Sequence, residues 1–454
     1  MKAVDAYLDA NARRFESELI DLLRIPSVST DPEHAGDVRR AADFVAKDLG
    51  NIGLEAEVIP TAGHPVVYAE WLGAAGAPTV LVYGHYDVQP PDPLDLWTSP
   101  PFEPTVRDGN LYARGATDDK GQMMTHVKSV EAWMKTEGRL PVNVKFLIEG
   151  EEEIGSEHLA PFVRAEAARL AADCCVISDT CQFAAGVPAI TYGLKGIVYY
   201  EVRLRGPARD LHSGSFGGSV ANPANALARM LGALVDGGGR VQVPGFYDDV
   251  APLADWERRQ FAELPFDEAA YKRQHGVEAL FGEEGYTTLE RRWARPTCDV
   301  NGLFGGFRGE GSKTIVPAEA GAKVSFRLVP HQDPKKITAA FRGFLAGLCL
   351  PGIQMEVREF HNSPAVLTPV DSPAVQAAGR AIEQGFGTQP VFIREGGSIP
   401  VVTTFHEALG LDTLLLGWGL PDDNTHSPNE KFCLADFHRG IKASAHLWRE
   451  LAIG

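Results

Sequence analysis

Short apolar runs separated by longer amphipathic stretches dominate the first part of the chain. Thr79–Tyr83, Val144–Ile148 and Cys174–Ile177 are continuous and rich in β-branched residues, and Thr413–Leu416 late in the chain has the same character. Such runs are typical of strands covered on both faces, as in parallel sheets. Together with the helical segment Ala3–Leu23, they predict an α/β fold.

The pattern changes in the middle of the chain, where strands alternate more clearly between apolar and polar residues. In chain order, the pattern predicts a strand at Ile197–Leu204, a helix from Asn222-Pro223 through Leu234, strands near Val300–Phe304 and at Lys323–Leu328, a helix at Asp333–Leu348 and a strand at Ile353–Phe360. This βαββαβ order predicts a ferredoxin-like α+β domain. We therefore expect a catalytic domain at 1–194 and 366–454 and an inserted domain at 195–365. The charged stretch Phe246–Arg295 predicts a helical excursion without an assigned role.

Composition excludes some classes of function. The chain has 454 residues, of which 44% are hydrophobic, and a formal net charge of −17. This charge repels a phosphate backbone, so nucleic acid is not an expected partner. No apolar stretch is long enough to cross a bilayer, and the first residues lack the apolar region of a signal peptide. We therefore expect a cytoplasmic protein without membrane partners. The six irregularly placed cysteines indicate reduced thiols, which agrees with this expectation.

Acidic residues and histidines follow directly after the apolar runs. Gly84-His85-Tyr86-Asp87 follows the first run, Glu149 to Glu153 the second, and Ser178-Asp179 the third; a Gly/Asp/Asn-rich loop leads from the fourth to His426. A further segment carries the adjacent pair Asp118-Asp119. Ligands of open α/β sheets gather beyond the carboxyl ends of the strands. Each segment alone is weak evidence for a functional site, because acidic runs are usually solvated. Their shared position at strand ends favours a common site.

The residue types at this site indicate metal binding. Two imidazoles and several carboxylates, with no cysteine beside them, suit Zn²⁺, Mn²⁺ or Co²⁺. Because one carboxylate can bridge, the set fits two divalent ions that activate a shared water. Spacing alone does not choose among these metals.

The same segments resemble metallopeptidase family 20, which includes cytosolic nonspecific dipeptidase, carnosinase, acetylornithine deacetylase, succinyl-diaminopimelate desuccinylase and carboxypeptidase G. The resemblance spans nearly the whole chain and is carried by these segments: 84–90, 114–121, 149–156, 210–214, 394–400 and 426–430. The dipeptidase and carnosinase branch fits best, through Thr117–Gly121, Lys313–Pro317 and Arg394–Pro400.

This resemblance implies a role for each candidate residue. Asp118 would bridge two metals, with His85 and Asp179 completing one site and Glu153 and His426 the other. Glu152 would be the general base that takes a proton from the bridging water and delivers it to the leaving amine. Asp87 would orient His85. The resemblance also implies a cis peptide bond between Asp118 and Asp119. Three successive glutamates, Glu151 to Glu153, leave the assignment of base and ligand dependent on register.

The inserted domain would serve as a lid and a dimer interface. In the family it contributes a histidine to the partner subunit's active site, and His212 is the match, although a turn residue in a Gly/Ser-rich loop is the plainer interpretation. Thr314, Arg327 and Ser398 match positions that bind the backbone and carboxylate of the substrate. A guanidinium suits a free carboxylate because it binds in a bidentate manner. Arg327 also fits a solvated strand face.

The leading hypothesis is a metal-dependent hydrolase of dipeptides or short peptides with a free C-terminal carboxylate. An N-acyl amino-acid deacylase or a carboxypeptidase would use the same metals and base. From a different class, a catalytically silent relative would bind metal or peptide only. The intact Glu152 argues against a silent relative, because a binding protein needs no general base.

Overall fold

The computed structural model describes residues 1–453, which form two compact units. Unit 1 comprises Met1–Tyr192, Thr368–Ile393 and the chain from Pro400 onward. Unit 2 comprises Gly193–Leu367 and the short segment Arg394–Ile399. Unit 2 is therefore inserted into the sequence of unit 1, and it includes a segment that the sequence-based division placed in the first domain.

Helices and strands are numbered along the chain. The helices are α1 Lys2–Leu23, α2 Ala35–Asn51, α3 Lys120–Glu137, α4 Leu159–Ala165, α5 Ala167–Leu170, α6 Ser213–Phe216, α7 Pro223–Gly232, α8 Asp255–Glu263, α9 Glu268–His275, α10 Thr288–Ala294, α11 Pro334–Leu348, α12 Pro373–Phe386, α13 Pro400–Leu409 and α14 Leu434–Ile453. The strands are β1 Glu55–Ile59, β2 Val66–Trp71, β3 Thr79–His85, β4 Thr105–Arg107, β5 Asn110–Tyr112, β6 Asn143–Glu149, β7 Cys174–Ile177, β8 Ala189–Leu194, β9 Gly196–Arg205, β10 Leu211–His212, β11 Thr297–Gly305, β12 Ile315–Val316, β13 Glu319–Leu328, β14 Gln354–Ser363, β15 Val366–Leu367, β16 Val391–Glu395, β17 Thr413–Gly417 and β18 Lys431–Cys433. No helix in this part of the chain is both long and apolar enough to span a membrane.

The main sheet of unit 1 runs in the order β1-β2-β6-β3-β7-β17-β8, with β16 beside β8. Its four central strands, β6, β3, β7 and β17, are parallel to one another. These are the four apolar runs of the sequence, and the predicted α/β fold is confirmed. Because the four strands are parallel, their carboxyl ends lie at one edge of the sheet.

Helices cover both faces of this sheet, which explains why its strands are continuously apolar. On one face, Val80 and Val82 belong to a core cluster shared with α1, α2, α3, α12 and α14. On the other face, the ring of Tyr83 meets that of Phe405 from α13 edge-on, at 5.5 Å between centroids. Alternate residues of β3 thus face opposite helical layers, as side chains along a strand must.

Unit 2 contains a four-stranded antiparallel sheet in the order β11-β13-β9-β14. With α7 after β9 and α11 after β13, the chain follows βαββαβ, and the predicted ferredoxin-like architecture is confirmed. Helix α7 begins as predicted, because the Asn222 side chain accepts a hydrogen bond from the backbone N–H of Ala224 at 2.8 Å. It ends at Gly232, two residues before the predicted end at Leu234.

The 246–295 stretch forms three short helices, α8, α9 and α10, as the expected helical excursion. Phe261 of α8 packs edge-on against Trp293 of α10, with ring centroids 5.1 Å apart. After α10, the buried Arg295 forms two contacts with Glu283, at 2.7 and 2.9 Å. This excursion therefore has its own small core and a buried ion pair.

Candidate metal centre

The carboxyl edge of the parallel strands gathers four of the five candidate ligands. His85 is the last residue of β3, Asp179 follows β7, and Glu153 lies in a short turn of 3₁₀-helix after β6. His426 lies in the loop after β17, in a left-handed backbone conformation with φ of 58°. Strands far apart in sequence thus deliver these side chains to one place.

Asp118, just before helix α3, lies between two groups of these ligands. One carboxylate oxygen, Oδ1, is 3.1 Å from His85 Nε2, which is itself 4.0 Å from Asp179 Oδ2. The other oxygen, Oδ2, is 2.9 Å from His426 Nε2, which is 3.2 Å from Glu153 Oε2. Asp118 is therefore shared by two three-residue groups, each compact enough to hold one ion.

Asp87 organises both His85 and the glutamate turn. Its Oδ1 is 3.4 Å from His85 Nδ1, and its backbone carbonyl is 3.1 Å from the same nitrogen. The two carboxylate oxygens also accept hydrogen bonds from the backbone N–H groups of Glu152 and Glu153. A buried carboxylate in this place fixes the imidazole ring and leaves Nε2 directed toward Asp118 and Asp179.

The donor set fits divalent cations. His85 Nε2 is fully buried and has no hydrogen-bond partner among the described residues, although two carboxylates face it. Burial, together with the charge of Asp118, raises the pKa of Asp179 well above its ordinary value. A partly buried carboxylate cluster of this kind is unfavourable without cations, and imidazole and carboxylate ligands suit Zn²⁺ or Mn²⁺.

A second cluster of carboxylates in unit 1 does not have this character. Glu18, Asp48 and Glu131 also lie close together, but all three contact the ammonium group of Lys128, at 2.7, 2.7 and 3.3 Å. The buried lysine already supplies the positive charge that this cluster needs. We therefore interpret it as a structural ion-pair network.

The three successive glutamates are separated by their contacts. Glu151 turns away from the candidate ligands, accepts a hydrogen bond from the backbone N–H of His64 at 2.8 Å and contacts the ring of His158 at 2.9 Å. Glu153 lies beside His426. Between them, burial raises the pKa of Glu152 to about 7, with contributions from the charges of neighbouring carboxylates. The register ambiguity in the sequence is thus reduced by the fold.

Sequence reasoning missed a residue that shapes the Asp118 loop. The buried Glu430 accepts hydrogen bonds from the backbone N–H groups of Thr117 and Asp118 through Oε1, at 2.9 and 3.1 Å. Through Oε2 it accepts from Gly115 N–H and from Arg114, at 2.9 and 2.8 Å. Glu430 was visible in the 426–430 segment, but only the fold shows what it holds.

The peptide bond between Asp118 and Asp119 is cis, as the family resemblance implied. Asp119 is buried, and its Oδ2 lies 3.2 Å from the backbone nitrogen of His85. The two successive aspartates therefore have different surroundings: Asp118 faces both histidines, and Asp119 contacts the backbone at the end of β3.

The four candidate substrate-binding residues lie in unit 2, where His212 is near Thr314 and Arg327 contacts Ser398. His212 of β10 pairs with Ile315 of β12, and the next residue of the chain donates a backbone hydrogen bond to the carbonyl of Thr314 at 3.1 Å. Arg327, near the end of β13, donates to the hydroxyl of Ser398 at 3.1 Å. The exposed His212 ring accepts a hydrogen bond from Gly214 N–H through Nδ1. Unit 2 thus brings Arg327 and Ser398 together although they are distant in sequence.

Comparison with known proteins identifies the family to which the chain belongs. Residues 81–450 match the model of Peptidase family M20/M25/M40. The chain belongs to this family. It is therefore a metallopeptidase, and the metal-binding character of the Asp118 site agrees with that assignment.

Several M20 proteins are similar to this family member over nearly their whole length. Cys-Gly metallodipeptidase dug1 of Schizosaccharomyces pombe is 34% identical, covering 98% of this chain and 97% of the relative. Human Beta-Ala-His dipeptidase is 35% identical, and the match covers 100% of this chain and 93% of that protein. The M20 family metallo-carboxypeptidase Sso-CP2 of Sulfolobus solfataricus has a similar structure, with a TM-score of 0.87, 35% identity and coverage of 97% and 99%.

Proposed function

We propose that this M20 metallopeptidase hydrolyses the peptide bond of dipeptides or short peptides that have a free C-terminal carboxylate. The observation that carries the proposal is the position of Asp118, whose two carboxylate oxygens each face one histidine-containing ligand group. The similarity to two dipeptidases over nearly the whole chain supports dipeptides as the substrate class.

Two divalent metal ions are the proposed cofactors. His85 and Asp179 would hold one ion, Glu153 and His426 the other, and Asp118 would contribute to both. Zn²⁺ and Mn²⁺ are the favoured metals and Co²⁺ also fits, because the donor set consists of imidazoles and carboxylates. When bound, such ions lower the pKa of water toward neutrality and stabilise negative charge on a carbonyl oxygen.

Glu152 is the proposed general base and acid. Its carboxylate would accept a proton from the attacking water and then donate it to the nitrogen of the leaving amine. In the absence of metal, burial, together with the charges of the surrounding carboxylates, raises the pKa of Glu152 to about 7. Asp87 would support this step indirectly, because it holds both the His85 ring and the Glu152 backbone.

Residues of unit 2 are the proposed substrate-binding groups. The guanidinium group of Arg327 would bind the C-terminal carboxylate, with Ser398 beside it. Thr314 would contact the substrate backbone. His212 is proposed to act in the partner subunit of a homodimer formed through unit 2, and its exposed ring is available for such a role. We also propose that the enzyme works in the cytoplasm.

The dimer proposal has its own test. Sedimentation should show a dimer, and the active enzyme should lose most of its activity when His212→Ala is introduced. An active monomer, or a His212→Ala variant with normal kinetics, would remove the role of His212 in a partner's site.

A carboxypeptidase or an N-acyl amino-acid deacylase is the second candidate activity. The similarity to a metallo-carboxypeptidase at 35% identity specifically favours the first of these. Dipeptides, longer peptides and N-acetyl amino acids should therefore be compared as substrates. We expect the highest kcat/KM for dipeptides, and a clear preference for longer peptides or acetyl compounds would replace the dipeptidase proposal.

The role of Glu152 is tested by the substitution Glu152→Gln, which preserves shape and removes the basic oxygen. We expect kcat to fall by about 10²- to 10⁴-fold, as is typical when a general base is lost. The metal content, measured by elemental analysis, should stay at the wild-type level. Normal turnover in the metal-loaded variant would refute the mechanism and reopen the possibility of a different base.

A further inference from the structure

A cavity of about 370 Å³ lies within unit 2, at the place where the sheet meets the 246–295 excursion. Its walls come from the residue before β9, the end of β13, helix α10, the beginning of β11 and the loops near 235–239 and 281–283. Five basic residues line it: Lys195, Arg291, Arg292, Arg295 and Arg327. We call this cavity the cationic pocket. Its volume is within the range of cavities that bind small molecules.

The positive charge of the cationic pocket is only partly compensated. Glu283 is occupied by Arg295 and also by Arg240, at 2.9 Å. The other lining carboxylate, Asp299, is exposed to solvent and accepts a hydrogen bond from Thr297. Within residues 1–453, the remaining basic groups, Lys195, Arg291, Arg292 and Arg327, form no ion pair within 4.0 Å.

Two of these cations are shielded from water to different degrees: Lys195 is buried and Arg327 is partly buried. Lys195 is 3% exposed, and its ammonium group donates a hydrogen bond to the backbone carbonyl of Arg291, at 3.0 Å. Burial, together with the charge of Arg327, lowers the pKa of Lys195 to about 7. Burial also lowers the pKa of Arg327. The nearby charge of Asp299 partly offsets both effects, and that of Glu395 also offsets the effect on Lys195. Like charges that lie together disfavour the charged form, and a bound anion would favour it.

The position of Arg327 links this pocket to the substrate. Arg327 lines the cationic pocket and donates to Ser398, and these two residues are the proposed ligands of the substrate's C-terminal carboxylate. Gly396, which shares the short segment 394–399 with Ser398, also lines the pocket. A substrate whose C-terminal carboxylate contacts Arg327 would therefore have its C-terminal side chain close to the cationic pocket.

We propose that the cationic pocket binds the acidic side chain of the substrate's C-terminal residue, so that the enzyme prefers dipeptides ending in aspartate or glutamate. This proposal rests on the proposed function, because it takes Arg327 as the ligand of the C-terminal carboxylate. Arg292 is the residue best suited to contact the second carboxylate. It is exposed on the pocket wall, and its guanidinium group lies over the ring of Tyr271, 5.3 Å from the ring centroid.

The test compares Ala-Glu with Ala-Gln, two dipeptides of nearly the same shape that differ in one charge. With the full-length, metal-loaded enzyme, we expect kcat/KM for Ala-Glu to exceed that for Ala-Gln by about tenfold or more, as for a charged hydrogen bond. In Arg292→Gln this ratio should fall several-fold. Arg205→Gln is the matched control, because Arg205 is an exposed arginine at the end of β9 outside the pocket. Its ratio should equal that of the wild type.

The outcomes separate this proposal from the proposed function. Equal kcat/KM for the two dipeptides would overturn the acidic preference, and a preference unaffected by Arg292→Gln would show that another site causes it. If neither dipeptide is hydrolysed, the proposed function itself fails. In that case, calorimetry with glutarate tests whether the pocket binds anions. Weaker glutarate binding by Arg292→Gln than by Arg205→Gln would support an anion site in the pocket. Equal binding by the two variants would overturn it. Matching melting curves for the variants establish that both are folded.

Discussion

Replacing Glu430 with glutamine tests whether this buried carboxylate holds the loop that carries Asp118. In the wild type, each oxygen of Glu430 accepts two hydrogen bonds: Oε1 from the backbone of Thr117 and Asp118, and Oε2 from Gly115 and Arg114. A glutamine amide has only one oxygen, and its NH₂ group would face two donors in either orientation. The substitution therefore removes two hydrogen bonds and the charge opposite Arg114.

The magnitude follows from the burial of these groups. Glu430 is 0% exposed and Arg114 is 1% exposed, so water does not replace the lost partner. Breaking a buried ion pair by removing one partner costs about 3–5 kcal/mol of unfolding free energy. The loss of support for Asp118 should in addition weaken metal binding by about 10- to 100-fold, as when other groups that position a ligand are removed.

Two assays measure these effects separately. Urea unfolding of the metal-free protein gives the change in stability, and competition with a coloured chelator gives the metal affinity. Glu55→Gln is the matched control, because it removes the same charge from an exposed residue of β1 that is distant from the loop along the chain. If Glu430→Gln differs from Glu55→Gln by less than about 1 kcal/mol and binds metal normally, Glu430 does not have the proposed positioning role.

Two further predictions concern pH and metal removal. Burial lowers the pKa of His126 from 6.5 to about 3, so only the unfolded chain binds this proton between those values, and the stability of the folded state decreases as the pH falls through this range. Measured by urea unfolding without metal, the unfolding free energy of the wild type should therefore fall by about 1.4 kcal/mol per pH unit below 6.5, relative to that of His126→Gln. Parallel pH profiles of the two proteins would contradict this. Removing metal with a chelator should abolish activity and lower the melting temperature, because each ion at a hundredfold excess over its Kd stabilises the fold by about 2.7 kcal/mol. Unchanged activity and melting temperature in the presence of the chelator would contradict metal binding at the Asp118 site.

Much of the fold can be read from the sequence because it depends on local pattern. The apolar runs that become β3, β6, β7 and β17 must be covered on both faces, and parallel strands place their carboxyl ends at one edge. The residue types that follow those ends therefore predict a metal centre. The end of α7 was less well predicted, because the periodic pattern continues beyond Gly232 while the helix does not.

Other features depend on residues that are distant along the chain. The pattern could not distinguish Glu151 from Glu153, because consecutive residues of a turn point in different directions and only packing selects between them. Contacts with His158 for Glu151 and with His426 for Glu153 make that distinction.

The sequence alone thus determined the fold class and the chemical character of the metal site, since both follow from local hydrophobicity and residue type. The tertiary structure decided which groups meet. Glu430 reaches the Asp118 loop from 312 positions away, and Arg327 meets Ser398 across 71 positions. The basic residues of the cationic pocket likewise come from separate segments of unit 2. Such encounters are set by the packing of the whole chain, and no short segment of sequence contains them.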